Sequence, residues 1–179
     1  MLFLVFELDG ERYALDAREI VRVLPLQPVR AFAGTPPYIA GVIDHEGAPV
    51  PVIDMAMLAL GRPARMLMST RLVLVDDNAP AASNVVSAAG ESVPPRRIAL
   101  LLECATRTQT LAPEAFAEAG IATPEARWLG PVARDAHGFV QWVKVGQLLD
   151  ERVRALLFPD PPTWRDAASG NVSPTGRAP

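Results

Sequence analysis

The chain has 179 residues, 50% of them hydrophobic and 21% charged, with a formal net charge of −3. That composition describes a globular chain with a real core rather than a disordered one. The dispersed basic residues exclude the basic face that a nucleic-acid binder needs. A single cysteine, Cys104, excludes an intramolecular disulfide framework and fits a reducing cytosol. The first apolar run lacks a basic segment before it and stops at Glu7. It is therefore read as neither a signal peptide nor a membrane span, which needs roughly 20 apolar residues. No later run reaches that length, so membrane association is expected only through a partner.

Leu2 to Leu8 is a β-type run ending in Asp9-Gly10, and Glu11 to Asp16 returns with Tyr13 and Leu15 at period two. A type I′ turn needs φ > 0 at both central positions, so Asp-Gly between such runs predicts a hairpin. Ile20 to Leu24 is rich in β-branched residues around Arg22 and reads as a strand, entered by a helical turn after Asp16. Pro25 and Pro28 stop it, and a connector follows to Pro37.

Tyr38 to Met55, YIAGVIDHEGAPVPVIDM, reads as two strands joined by the turn Asp44-His45-Glu46-Gly47. Gly41, inside the first strand, predicts a bulge or the close approach of another backbone. Pro49 and Pro51, two apart, delete two donors from one edge of the second strand, which should leave that edge free or covered. Asp54 is placed to cap a short helix over 55–60, with Gly61 ending it.

Thr70 to Val75 is a strand. Residues 77–95, rich in Ala, Ser, Pro and Gly, read as a flexible loop between two strands whose ends must lie close together if the strands pair. This loop divides the chain into two β-rich halves. Arg97 to Ala105 reads as a buried strand with Cys104 as a small buried hydrophobe, and Thr106 to Leu111 extends it or starts another. Pro113 to Gly120 reads as a helical turn. A further turn over 134–138 separates two late strands. In the C-terminal helix after Asp150, Val153, Leu156 and Leu157 fall on one face. Residues 159–179 read as a disordered tail, and 1–158 as the folded unit.

Catalytic motifs are missing. His45 and His137 both sit in turns and read as solvated residues, and with one cysteine they make no zinc site. Neither G-x-x-x-x-G-K-[ST], G-x-G-x-x-G nor G-x-S-x-G occurs. Asp76-Asp77 and Asp150-Glu151 read as solvated or helix-dipole charge. The chain is therefore expected to bind rather than catalyse, with no cofactor, no metal and no catalytic residue.

FLVFELDGERYALD, then IVRVL, TPPYIAGVIDHEGAPVPVIDM and TRLVLV resemble the CheW-type chemotaxis coupling proteins, with the later segments similar in order and spacing through residue 158. Gly41, Gly47, Pro51 and Asp54 match the family's most specific block. The resemblance implies an all-β fold with minor α: two packed five-stranded β-barrels, short helices and a C-terminal helix. It also implies a cytoplasmic, non-enzymatic adaptor at membrane-associated receptor arrays, joining a chemoreceptor's cytoplasmic hairpin tip to the regulatory domain of a CheA-type histidine kinase. Carried over by position, Ile20 and Arg22, with Arg71 and Leu72 on the strand across the groove, would face the receptor. Gly41, Val42 and Ile43 would face the kinase. Where the family has arginine before the turn glycine this chain has Glu46, and where the family has glutamate on the preceding strand it has Arg22. The joint inversion predicts that the two side chains meet as a reversed ion pair, which adds Glu46 to the receptor-facing set. The opening segment, LGPVA and RALLF also resemble the WspB-type coupling proteins of surface-sensing pathways. Two other readings remain: a same-fold module that docks on the kinase without activating it, and a β-barrel that binds a small ligand.

Overall fold

The structure is a computed structural model that describes residues 1–77, 96–118 and 124–159. Ten strands and two short helices form: β1 (Leu2–Leu8), β2 (Glu11–Asp16), β3 (Ile20–Leu24), β4 (Ile39–His45), β5 (Ala48–Asp54), α1 (Met55–Leu60), β6 (Arg71–Asp76), β7 (Arg97–Leu102), β8 (Arg107–Thr110), β9 (Leu129–Asp135), β10 (Gly138–Val143) and α2 (Glu151–Leu157). The strands make two five-stranded sheets, ordered β8-β1-β2-β10-β9 and β3-β6-β7-β5-β4. The expected pair of five-stranded units is present, although among the described residues neither ladder closes into a barrel.

Local chemistry explains most of the elements. Asp9 and Gly10 both have positive φ (50° and 87°), which gives the tight turn between β1 and β2. Asp54 Oδ1 accepts from the amides of Ala56 and Met57, both at 3.0 Å, and its Oδ2 accepts from Ala64 at 2.8 Å. One buried carboxylate thus caps α1 and fixes the chain after it. Gly61 ends α1 in the left-handed conformation, donating to Met57 O. The amide and carbonyl of Val42 are both used by Arg30, so its partner Pro51 must also point its nitrogen away from β4. That edge meets β7 only from Val52 onward, beyond the two prolines.

The division into two sequential halves does not hold. The first hairpin joins β8, β9 and β10, and the 77–95 stretch lies between β6 and β7 of the same sheet. These two strands pair antiparallel, and Asp77 donates to Arg96 O at 2.7 Å, so the ends of that stretch do meet. Its remaining residues, the end of the 113–120 turn and the tail beyond Pro159 lie outside the described residues. The main core is shared by both sheets. Leu4, Phe6, Leu8 and Leu15 of one sheet pack with Val52, Ile53, Leu72, Leu74, Leu100 and Leu102 of the other. Phe3 and Ala14, on the opposite face of the β1–β2 hairpin, form a smaller cluster with Val140, Phe116 and Trp142.

Four further expectations are corrected. β7 ends at Leu102, and Cys104 sits half-exposed beyond it with φ 51°, because the chain must turn there to carry β8 into the other sheet. Leu156 is exposed on α2, whose buried face instead holds Val153 and Arg154. Arg154 reaches Asp77 with two hydrogen bonds of 2.7 and 2.9 Å, so Asp77 is a buried ion-pair partner rather than a solvated charge. His45 is largely covered by its surroundings, unlike the exposed His137.

Candidate functional site

The turn between β4 and β5 is built like the first one. Glu46 and Gly47 have φ of 56° and 83°, and Asp44 Oδ1 accepts the Gly47 amide at 3.0 Å. Glu46, held in this tight turn, extends its carboxylate to β3. Its Oε1 lies 3.0 Å from Arg22 Nη1, with the two side chains 65% and 56% exposed. β3 and β4 are the two edges of their sheet, so this ion pair crosses from one edge strand to the turn at the end of the other. The reversed pair expected from the sequence is therefore formed. His45 Nε2 is 3.9 Å from the same Glu46 oxygen.

Gly41 sets the path of β4 beneath that turn. Its φ is 141°, the ladder shifts register between Ile39 and Gly41, and Arg30 brackets Val42 with hydrogen bonds of 2.8 and 2.9 Å. A Cβ at Gly41 would lie 2.6 Å from the Arg30 carbonyl carbon, closer still to its oxygen, and 2.9 Å from Ala31 Cα. Both sequence readings of this glycine, a bulge and a close backbone approach, are correct.

The other expected site residues divide by burial. Ile20, Val42 and Arg71 are half-buried, while Gly41, Ile43 and Leu72 are buried. The last three are shielded from direct contact with a partner. β3 and β6 are hydrogen-bonded neighbours, so no groove separates them. Ile20 pairs with Val75 and Leu24 with Leu72, which puts Ile20 and Arg71 at opposite ends of the strand pair. The Arg71 guanidinium donates to Met68 O and Thr70 O at 2.6 and 2.8 Å.

Two features were missed. Val21 and Val23 are exposed on β3, an apolar strip beside the ion pair that β-branched content alone does not orient. The second is a charge network joining the sheets. Arg62 contacts both Asp9 and Glu103, Arg65 contacts Asp9, and the Arg65 amide donates to Glu103 at 2.7 Å. Burial pushes the Glu103 carboxyl up, but the hydrogen bonds from Arg62 and from the Arg65 amide outweigh it and hold the group below its usual range. Its signal in the sequence was an acid directly after the apolar run of β7, a placement that requires a partner. Glu19, just before β3, is shifted the other way, to about 7, by burial and by nearby Asp16.

Among the described residues no three His, Cys, Asp or Glu side chains are grouped to hold a metal ion, and no helix is long and apolar enough to cross a membrane.

Comparison with known proteins places this geometry. A 53-residue stretch is 36% identical to the chemotaxis protein CheW of Klebsiella aerogenes, a match covering 30% of this chain and 32% of that protein. The crystal structure of the scaffolding protein TtCheW from Thermoanaerobacter tengcongensis is similar in fold, with a TM-score of 0.68 and 17% identity over 85% of this chain and 89% of that one. The CheW-like domain itself matches residues 2–153. With both sheets and all ten strands inside that span, the chain belongs to the CheW-like domain family.

Proposed function

We propose that this chain is a non-enzymatic adaptor that couples the cytoplasmic hairpin tip of a chemoreceptor to the regulatory domain of a CheA-type histidine kinase. It would work in the cytoplasm, and its only link to the membrane would be the receptor. The observation that carries this reading is the family match across residues 2–153. The relative from Klebsiella is a chemotaxis protein and the structural neighbour a scaffolding protein, which supports coupling as the shared role.

The Arg22–Glu46 pair supports a narrower reading, in which this adaptor serves its own receptor. Both groups are more than half exposed, so the pair adds at most about 1 kcal/mol to stability. An exposed pair of reversed sign instead rejects partners built for the opposite arrangement. Ile20 and Arg71 border the same strand pair as Arg22, and Val42 lies on the outer edge of β4 where the kinase would dock. The resemblance to WspB-type proteins makes a surface-sensing receptor and kinase the proposed pair.

A pull-down with a receptor hairpin fragment and a kinase regulatory domain tests the reading. Joint capture of both is expected. Capture of the kinase domain alone would replace the adaptor with a competing docking module, and capture of neither would remove the coupling role.

A further inference from the structure

The chain's five methionines do not share one environment. Met55 is fully buried in the core, and Met1 and Met57 are half-buried. Met66 and Met68, in the segment between α1 and β6, are 68% and 95% exposed. Two thioethers this open, two residues apart, offer their sulfurs to any solute. The backbone that carries them is held on both sides. Before the tip, Ala64 N donates to Asp54 and Arg65 N to Glu103. After it, Thr70 N donates to Leu67 O, and Ser69 O accepts from Ala105. Met68 O itself accepts from Arg71 Nη1 at 2.6 Å. A chemical change at either sulfur therefore leaves the path of the chain and the core untouched.

The reaction open to such a sulfur is oxygen transfer from a hydroperoxide. The sulfur lone pair attacks the terminal oxygen, an S–O bond forms and the O–O bond breaks. The proton of the transferred oxygen passes to the leaving oxygen, which departs as water or an alcohol. The sulfur gives up two electrons, the peroxide takes them, and the product is methionine sulfoxide, a polar side chain. The Arg71 guanidinium, bound at the Met68 and Thr70 carbonyls, stands beside the tip as a donor for an oxygen added there. Cys104 is also close, its sulfur accepting from Ser69 Oγ at 3.7 Å. It is the chain's single cysteine, so the chain holds no dithiol of its own. Reversal therefore needs an external dithiol, which becomes a disulfide while the oxygen leaves as water.

We infer that Met66 and Met68 form a reversible oxidation site, at which a hydroperoxide turns an apolar tip polar without unfolding the chain and so weakens the adaptor's hold on its receptor. This rests on the adaptor reading, in which Arg71, at the base of the tip, belongs to the receptor-facing set. Exposure sets the order of reaction: Met68 first, Met66 next, and the buried Met55 only when the chain unfolds.

The test treats the full chain with hydrogen peroxide and removes the oxidant with catalase. Peptide mass analysis then reads the oxygen added at each methionine, urea unfolding reads stability, and a chemoreceptor hairpin fragment reads binding. Met68 and Met66 should oxidise at least about tenfold faster than Met55, with the urea midpoint unchanged. Fragment binding should weaken at least about threefold and return after treatment with a methionine sulfoxide reductase and dithiothreitol. A Met66→Leu/Met68→Leu variant keeps the tip apolar, so it should bind as the untreated wild-type chain does and ignore peroxide. A Cys104→Ser variant should stay as sensitive as wild type. Full binding by the oxidised wild-type chain would overturn the inference and leave the adaptor reading in place. So would a fallen urea midpoint, a double variant still sensitive to peroxide, or a Cys104→Ser variant that has lost its sensitivity. Failure of the untreated chain to bind the fragment would overturn the adaptor reading, and the inference with it.

Discussion

Two turns in this protein share one backbone and differ in what surrounds them. Asp9-Gly10 and Glu46-Gly47 have nearly the same φ values, 50° and 87° against 56° and 83°, and each puts a carboxylate next to arginine. Asp9 belongs to a network that continues through Arg62 to Glu103, a side chain only 2% exposed, and so ties the first sheet to the second. Glu46 meets the exposed Arg22 and, at 3.9 Å, the covered His45 beside it in the turn, and reaches only the edges of its own sheet. The same turn chemistry therefore serves cohesion between the sheets in one place and holds an exposed ion pair in the other. Burial of the far end of the network, rather than the turn sequence, decides which.

The comparison can be broken most severely beneath the second turn. Gly41→Ala forces a Cβ into the Arg30 carbonyl group at a φ that alanine rarely adopts. It should cost about 4 kcal/mol or more, measured by urea unfolding. A loss under about 1 kcal/mol would mean that Arg30 can move aside and that β4 is less fixed than described.

The first network should break next. Glu103→Gln keeps the shape but removes the charge facing Arg62, and should lower stability by about 3 kcal/mol. Glu46→Gln should change it by less than about 1 kcal/mol. Equal effects would erase the distinction between the turns.

Titration sharpens the difference further. Glu103 is held below its ordinary range in the folded state, so its contribution is present above pH 4.5 and is lost as pH falls through the folded value. Glu19, raised to about 7, has the opposite sign: the stability it contributes is complete below pH 4.5 and is lost as pH rises to about 7. The urea midpoint of the wild-type chain should therefore drop between pH 5 and pH 8 by more than that of Glu19→Gln. Parallel profiles would show that Glu19 is already solvated.

The sequence was most informative where a backbone requirement selects a residue type. Asp9-Gly10, Gly41, Asp54 and Gly61 each stand where a positive φ, a close approach or a helix cap demands them, and each was assigned correctly. It was least informative where long-range pairing decides. No local signal says that β1 and β2 join β8 to β10, or that Arg154, on the side of α2 away from Leu156, turns inward to Asp77. The meeting of Arg22 and Glu46 was legible only because both signs are inverted together. The exposed apolar strip of β3 was not, because the same β-branched residues would suit a buried strand.

The most direct test of the central claim compares Glu46→Arg with Asp9→Asn in two assays, unfolding and binding to a receptor hairpin fragment. The account predicts that Glu46→Arg changes affinity at least tenfold, about 1.4 kcal/mol, with stability nearly unchanged, and that adding Arg22→Glu shifts the affinity again. It predicts that Asp9→Asn lowers stability and leaves affinity alone. A Glu46→Arg variant that binds the fragment as the wild-type chain does would contradict it.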